Sequence, residues 1–282
     1  MKRIVTMQDI SCVGKCSLSV AIPIISAMGV ECSVLPTAVL STHTAFENFS
    51  ICDLTDNLSP VTHVWKKEKI DFDMIYTAYL ASVRQVDSAI ELCRDFGGEG
   101  RTIFVDPVMG DFGRLYTGFE ASYPGHMMEL CKKADIISPN LTEAFCLLGE
   151  EYCENIGLSE ALKMAKRLSD KGIKSVVITG VSPEKGKLGI VKYDREEDRY
   201  FSYFTDKVEA SFPLHGSGDV FASAAVGAMA SGFEVDAALR LAADFTAFSI
   251  EKSVKNEKRR WYGVDFETAL PKLWELKMNL KG

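Results

Sequence analysis

His215-Gly216-Ser217-Gly218-Asp219 runs directly into Val220-Phe221-Ala222-Ser223-Ala224-Ala225-Val226-Gly227-Ala228-Met229-Ala230. The second part is small and apolar, with no charge on any face, which predicts a helix buried all round. The first turn of such a helix has backbone N–H groups without intrahelical partners, at the positive end of the dipole. That makes it an anion site, and glycine lets the backbone come close to a phosphoryl group because no Cβ intervenes. Asp219 then stands as a carboxylate beside an anion hole, able to take a proton from an attacking alcohol. The same five residues also read as a turn in which Ser217 or Asp219 merely caps the helix.

Outward from that stretch, the whole chain has 282 residues, 47% hydrophobic and 25% charged. That composition is ordinary for a globular protein and leaves room for a large core. A net charge of −7 offers no electrostatic case for a nucleic-acid partner. No stretch approaches the ~20 apolar residues of a membrane span. Asp9 arrives too early for a signal-peptide core. The expectation is a soluble, cytoplasmic protein without a membrane partner. Eight cysteines occur without a C-x-x-C pair. They read as free, mostly buried thiols rather than as zinc ligands or a disulfide framework.

Patterning predicts strands at 2–8, 31–40, 73–78, 102–106, 135–138 and 175–179, alternating with helices at 17–28, 60–69, 83–96, 122–133 and 158–171. A hairpin of 187–193 and 199–205 flanks a charged turn, and helices follow at 234–252 and 265–277. Such alternation gives a mostly parallel sheet with helices on both faces, in one domain spanning 1–282. Three further stretches carry chemistry. Ser41-Thr42-His43-Thr44-Ala45-Phe46 is a polar and aromatic loop after a strand. Asp106-Pro107-Val108-Met109-Gly110-Asp111 puts a carboxylate at the C-terminal end of a strand, where α/β sheets bind ligands. Pro139-Asn140-Leu141-Thr142-Glu143 opens a helix, either as a capping box or as a ligand segment. Gly14-Lys15 lacks the rest of a Walker A loop, and Gly216-Ser217-Gly218 lacks the third glycine of a dinucleotide fingerprint.

Taken in order, the Asp106, Asn140-x-x-Glu143 and Gly216-x-Gly218-Asp219 motifs resemble the ribokinase-like superfamily of small-molecule kinases. Within it the chain is most similar to the pyridoxal/pyridoxamine kinases, on the loop Ser41-Thr42-His43-Thr44 and the segment Ile75-Tyr76-Thr77-Ala78-Tyr79-Leu80-Ala81-Ser82. The resemblance implies a three-layer ribokinase-like fold, without the β-lid domain of the sugar kinases. It implies Asp219 as the catalytic base, with Gly216, Ser217 and Gly218 as its anion hole. It places Asp106, Ser138, Asn140, Glu143 and Thr179 on the ATP side, with Asp106 and Glu143 serving Mg2+, and implies K+ as a helper. Ser11, His43, Thr44, Ala45 and Tyr79 fall on the vitamin side, with Asp9 as the alternative to Ser11. The implied activity is ATP-dependent phosphorylation of the 5′-hydroxymethyl of a B6 vitamer, by a homodimer. The alternatives are hydroxymethylpyrimidine as substrate, or a silent member that binds pyridoxal phosphate.

Overall fold

In the computed structural model, residues 1–154 and 156–280 are described. They form two units: Met1–Asp73 with Lys207–Gly282, and Met74–Asp206. The first unit begins with strand β1 (Arg3–Val13), helix α1 (Leu18–Ala27) and strand β2 (Glu31–Thr42). β1 runs past residue 8, where the predicted strand ends, because it pairs in parallel with β2 as far as Val13, with an irregularity between Gln8 and Ile10. Alternating polar residues such as Asp9 and Ser11 hid this extension, yet both are buried. A short edge strand, β3 (Ile51–Asp53), lies antiparallel to β2 and has no sequence forecast. Helix α2 (Thr55–Lys67) starts earlier than predicted. Asp53 accepts from both the main-chain N–H and the hydroxyl of Thr55, which organises the first turn ahead of Pro60.

The second unit follows: β4 (Met74–Thr77), α3 (Val83–Phe96), β5 (Thr102–Val105), β6 (Gly110–Asp111), β7 (Arg114–Leu115), α4 (Tyr123–Cys131) and β8 (Ile136–Ile137). It continues with α5 (Leu141–Leu148), α6 (Leu158–Ser169), β9 (Ser175–Val181), β10 (Lys187–Asp194) and β11 (Arg199–Asp206). β4, β5, β8 and β9 pair in parallel, and the hairpin of β10 and β11 adds to β9 in antiparallel fashion. Strand residues Ile75, Tyr76, Phe104, Val105, Ile137, Val177 and Ile178 are fully buried. Continuous apolar strands of this kind belong to a parallel sheet covered on both faces. Ser82 caps α3 by accepting from the Gln85 N–H. The β6–β7 hairpin turns through Phe112 and Gly113, both at positive φ. Two residues in that conformation match the twist of a tight hairpin.

The chain then returns to the first unit with α7 (Ser217–Ala230), α8 (Val235–Lys255), a 3₁₀ turn (Glu267–Ala269) and α9 (Leu270–Asn279). The single helix expected over 265–277 is split because Pro271 starts a new one. Val220 to Ala228 are buried without interruption, as the uncharged sequence requires. α7 packs on α1 and α8, and a Cβ added to Gly227 would fall 2.9 Å from Met28. The cysteines depart from expectation. Only Cys93 and Cys131 are buried, whereas Cys12, Cys52 and Cys153 are exposed. Cys12 and Cys52 sit on strands at exposed positions, and Cys153 lies outside any helix or strand. No described helix is long and apolar enough to cross a membrane.

Candidate active site

Gly216 is the N-cap of α7, at φ +77°, and no side chain caps the helix. A Cβ there would lie 1.8 Å from the Lys15 carbonyl oxygen, so only glycine fits. The Lys15 side chain reaches Asp265 at 2.5 Å and Glu267 at 2.9 Å. Gly263 also lies against Lys15, and the Val264 N–H donates to the His215 carbonyl. Lys15 therefore clamps the segment before α7 rather than serving as a free phosphate-binding lysine. Gly218, by contrast, faces open space, with nothing within 4 Å of an added Cβ. Ser217 N–H closes a turn onto Leu214 O. Asp219 sits in the first turn, and desolvation pushes its carboxyl up to about 7, with the charge of Asp9 adding to the rise. Hydrogen bonds from the Ser17 N–H and its own N–H oppose that rise. A carboxylate tuned near neutrality is suited to accept a proton at physiological pH.

Near Asp219 lie Ser17 and Cys16, which the sequence left unassigned, together with Asp9. Ser17 has φ +51° and donates its hydroxyl to Asp9 at 2.6 Å. Asp9 is buried and its carboxyl is raised by desolvation, with Ser17 and Ser11 hydrogen bonds opposing. Ser11 is buried, and the Cys16 thiol points to its hydroxyl at 3.7 Å. Burial foremost, then the charges of Asp219 and Asp9, push that thiol up to about 12, so it stays protonated.

The loop after β2 is held by His43. Its Nδ1 accepts from the Ala45 N–H at 3.2 Å and its Nε2 lies 2.9 Å from the Tyr262 carbonyl oxygen. Only the neutral ring with the proton on Nε2 satisfies both. Burial holds its pKa below the usual histidine value, against the pull of the Tyr262 carbonyl. Both ring nitrogens of His43 are thus engaged by main chain, while Thr44 and Ala45 are exposed. Phe46 packs on Trp261 at 4.5 Å, and His43 lies 5.4 Å from His215. Trp261 and Tyr262 form an aromatic wall that the loop leans on; nothing in Lys258-Arg259-Arg260 before them signalled it.

The second unit groups the remaining predicted residues, apart from Tyr79, at the C-terminal ends of its parallel strands. Asp106 follows β5 and is buried. Ser138 follows β8, and its buried hydroxyl has no hydrogen-bond partner among the described residues. Thr179, on β9, bridges to Asn140, and its N–H donates to Pro139 O. Asn140 caps α5, and the capping box is complete. The Glu143 carboxylate accepts from Asn140 N–H at 2.7 Å and from Met109 N–H at 3.1 Å. Asn140 also donates to Gly110 O at 2.9 Å, so the cap pins the Asp106–Asp111 loop. Burial raises the Glu143 carboxyl, with main-chain N–H groups opposing. Tyr79, from the segment after β4, packs at 5.8 Å from Phe119. Among the described residues no group of three or more His, Cys, Asp or Glu could hold a metal ion.

The phosphomethylpyrimidine kinase family profile matches residues 26–262. A pyridoxine kinase of Bacillus subtilis is 28% identical over 65% of this chain and 66% of its own. The alignment therefore spans just under two thirds of that relative. Among solved structures, a Bacteroides thetaiotaomicron protein, provisionally described as a phosphomethylpyrimidine kinase and crystallised with pyridoxal, is 39% identical. It covers 96% of this chain and 95% of its own, at a TM-score of 0.90. Pyridoxal kinase from Lactobacillus plantarum is 27% identical, covering 99% of each chain at a TM-score of 0.88.

Proposed function

We propose that this chain, which belongs to the phosphomethylpyrimidine kinase family, uses ATP to phosphorylate the 5′-hydroxymethyl group of pyridoxal, pyridoxamine or pyridoxine. The observation that carries the reading is the Asp219 carboxyl, raised to about 7, in the first turn of a buried helix entered through Gly216. A primary alcohol is a poor nucleophile until its proton is taken, and Asp219 accepts it as attack proceeds. Gly216, Ser217 and Gly218 stabilise charge on the transferred phosphoryl group, and such donors are worth about 100–1000-fold in rate. Phosphoryl transfer is otherwise mostly positioning. Rigid placement of α7 by Lys15 suits that need.

On the vitamin side, Ser11, Thr44 and Ala45 bind the pyridine substituents, His43 shapes the loop and Tyr79 gives an apolar wall. Asp106, Ser138, Asn140 and Thr179 serve the nucleotide. Magnesium, when bound, neutralises phosphate charge, and Asp106 and Glu143 orient it; potassium assists. The two units work as one kinase domain, in a cytoplasmic homodimer.

One experiment tests the substrate: ADP release measured side by side with pyridoxal, pyridoxamine, pyridoxine and hydroxymethylpyrimidine. A B6 vitamer should lead by at least about tenfold in kcat/KM, about 1.4 kcal/mol of transition-state binding. The pyrimidine lacks the phenolic oxygen and leaves a polar partner unpaired. The family's description favours a second reading, hydroxymethylpyrimidine kinase; equal or better turnover of the pyrimidine would establish it. Turnover of none, with tight pyridoxal phosphate binding, would leave a silent binder. Light scattering at micromolar concentration tests the dimer.

A further inference from the structure

Trp261 is half exposed, although its ring packs on Phe46 at a centroid distance of 4.5 Å. The two planes meet at 51° rather than in a stack, and much of the indole is left in water. Such a surface forgoes the gain that burial of an aromatic ring would bring. The segment that carries it is nonetheless braced. Asn256 donates to Asp265 at 2.7 Å, which closes the stretch between α8 and the 3₁₀ turn. The Asp265 N–H donates to the Ser253 hydroxyl at 2.8 Å, and Arg259 lies over the Phe212 ring at 4.0 Å. On the other side, the Phe46 N–H closes a turn onto the His43 carbonyl. The His43 ring spans from the Ala45 N–H to the Tyr262 carbonyl and lies 6.0 Å from the indole. Two segments far apart in the chain are tied together, and the indole beside the tie stays open.

We propose that Trp261, backed by Phe46, is the platform on which the heteroaromatic ring of the substrate stacks. The platform names the ring-holding part of the vitamin site and rests on the kinase reading. An indole offers a wide π face and only two torsions to fix, so it binds a flat ring at little cost in freedom. Bracing by Asn256 and Asp265 and the His43 tie set that face in place before a ligand arrives, which spares ordering cost on binding. Thr44, exposed two residues before Phe46, brings a hydroxyl to the same loop for a polar ring substituent. The residues given to the nucleotide, Asp106, Asn140 and Thr179, belong to the other unit, whereas Trp261, Phe46 and Thr44 share one.

The test is fluorine NMR of the full-length protein labelled with fluorotryptophan, which gives one signal for each of its three tryptophans. Loss of a signal in Trp261→Phe identifies Trp261. If that variant fails to fold, Trp65→Phe and Trp274→Phe assign it by elimination. Pyridoxine or hydroxymethylpyrimidine, added without nucleotide, should move the Trp261 signal and leave those of Trp65 and Trp274 in place. ATP with magnesium, added without either heterocycle, should leave it unmoved. A Trp261 signal that neither heterocycle moves, or that ATP alone moves, overturns the platform. Kinetics separate stacking from packing. Trp261→Leu keeps apolar bulk without a π face, and should raise KM for the heterocycle about tenfold while kcat and KM for ATP hold. Trp261→Phe should recover most of that loss. A merely structural Trp261 would be replaced as well by one as by the other, so equal KM values in the two variants overturn the platform. Failure of the kinase reading is distinct: a heterocycle would still move the signal, while wild-type protein released no ADP with any vitamer or with the pyrimidine.

Discussion

The Lys15 carbonyl oxygen occupies the place where a side chain at Gly216 would begin, 1.8 Å from the built Cβ. The next glycine has the opposite surroundings, since Gly218 meets nothing within 4 Å. The two glycines of one motif therefore differ: the fold requires the first, and open space lies beside the second. Gly216→Ala should destabilise the protein by at least ~2 kcal/mol, from a strained positive φ and a backbone clash. Gly218→Ala should change stability by no more than about 0.5 kcal/mol, as surface changes usually do. Its turnover should fall at least about tenfold, because the methyl fills space needed beside the phosphoryl group. Urea melts and ADP-release rates on both variants check the contrast. Wild-type turnover in Gly218→Ala would remove it from the anion hole.

Asp219→Asn should lose most turnover while still binding ATP, and should be more stable than wild type at high pH. The sign follows from the raised carboxyl. Its folded value of about 7 lies above the ordinary 3.8, so between them the folded state holds the extra proton. Ionising Asp219 in that window costs stability as pH rises. Asparagine carries no such cost. Its Tm should exceed that of wild type by a few degrees at about pH 8, and the difference should vanish near pH 4. Scanning calorimetry across that range measures it, and a lower Tm at both ends would make Asp219 a structural residue.

Glu143 accepts two main-chain hydrogen bonds, and glutamine has only one acceptor oxygen. Glu143→Gln therefore sets an NH2 group against a main-chain N–H and should cost about 1–3 kcal/mol. Because the same cap anchors the loop after Asp106, the magnesium concentration for half-maximal activity should rise as well. Thermal melts and a magnesium titration separate the effects. Lost stability with an unchanged magnesium requirement assigns Glu143 to capping alone.

Phe112 is 84% exposed at φ +49°. Its ring gains little from that exposure, while the backbone is strained. Phe112→Asn should stabilise the protein by about 1 kcal/mol, because asparagine visits the left-handed region more readily. A higher urea midpoint at unchanged m-value is the expected reading.

Alternation of strands and helices was legible because apolar runs in the parallel strands are long and buried on both faces. α3 appears over the predicted residues because its apolar spacing and the Ser82 cap agree. The buried helix after Asp219 was legible from composition alone, since an uncharged helix has to be buried. The end of β1 was not. Asp9 and Ser11 look like turn residues until tertiary neighbours supply hydrogen bonds. Ser17 gave no signal at all, since nothing in a serine announces a positive φ. The capping box at Asn140 and Glu143 was legible as one of two readings, and geometry completes it without assigning a ligand. Trp261 and Tyr262 remained hidden because their contact with the His43 loop joins residues more than two hundred positions apart.

α7 and the loop after β2 sit at opposite extremes of packing. α7 is sealed through nine successive residues from Val220 to Ala228, whereas Thr44, Ala45 and most of the loop over 41–50 are exposed. Substitutions in the helix meet neighbours at once and are purged through loss of folding. Substitutions in the loop meet solvent and survive to be tried against new rings. Under the proposed function, selection can therefore exchange one hydroxymethyl heterocycle for another while the proton-accepting chemistry is inherited unchanged, which gives a physical route for one lineage to serve two vitamins.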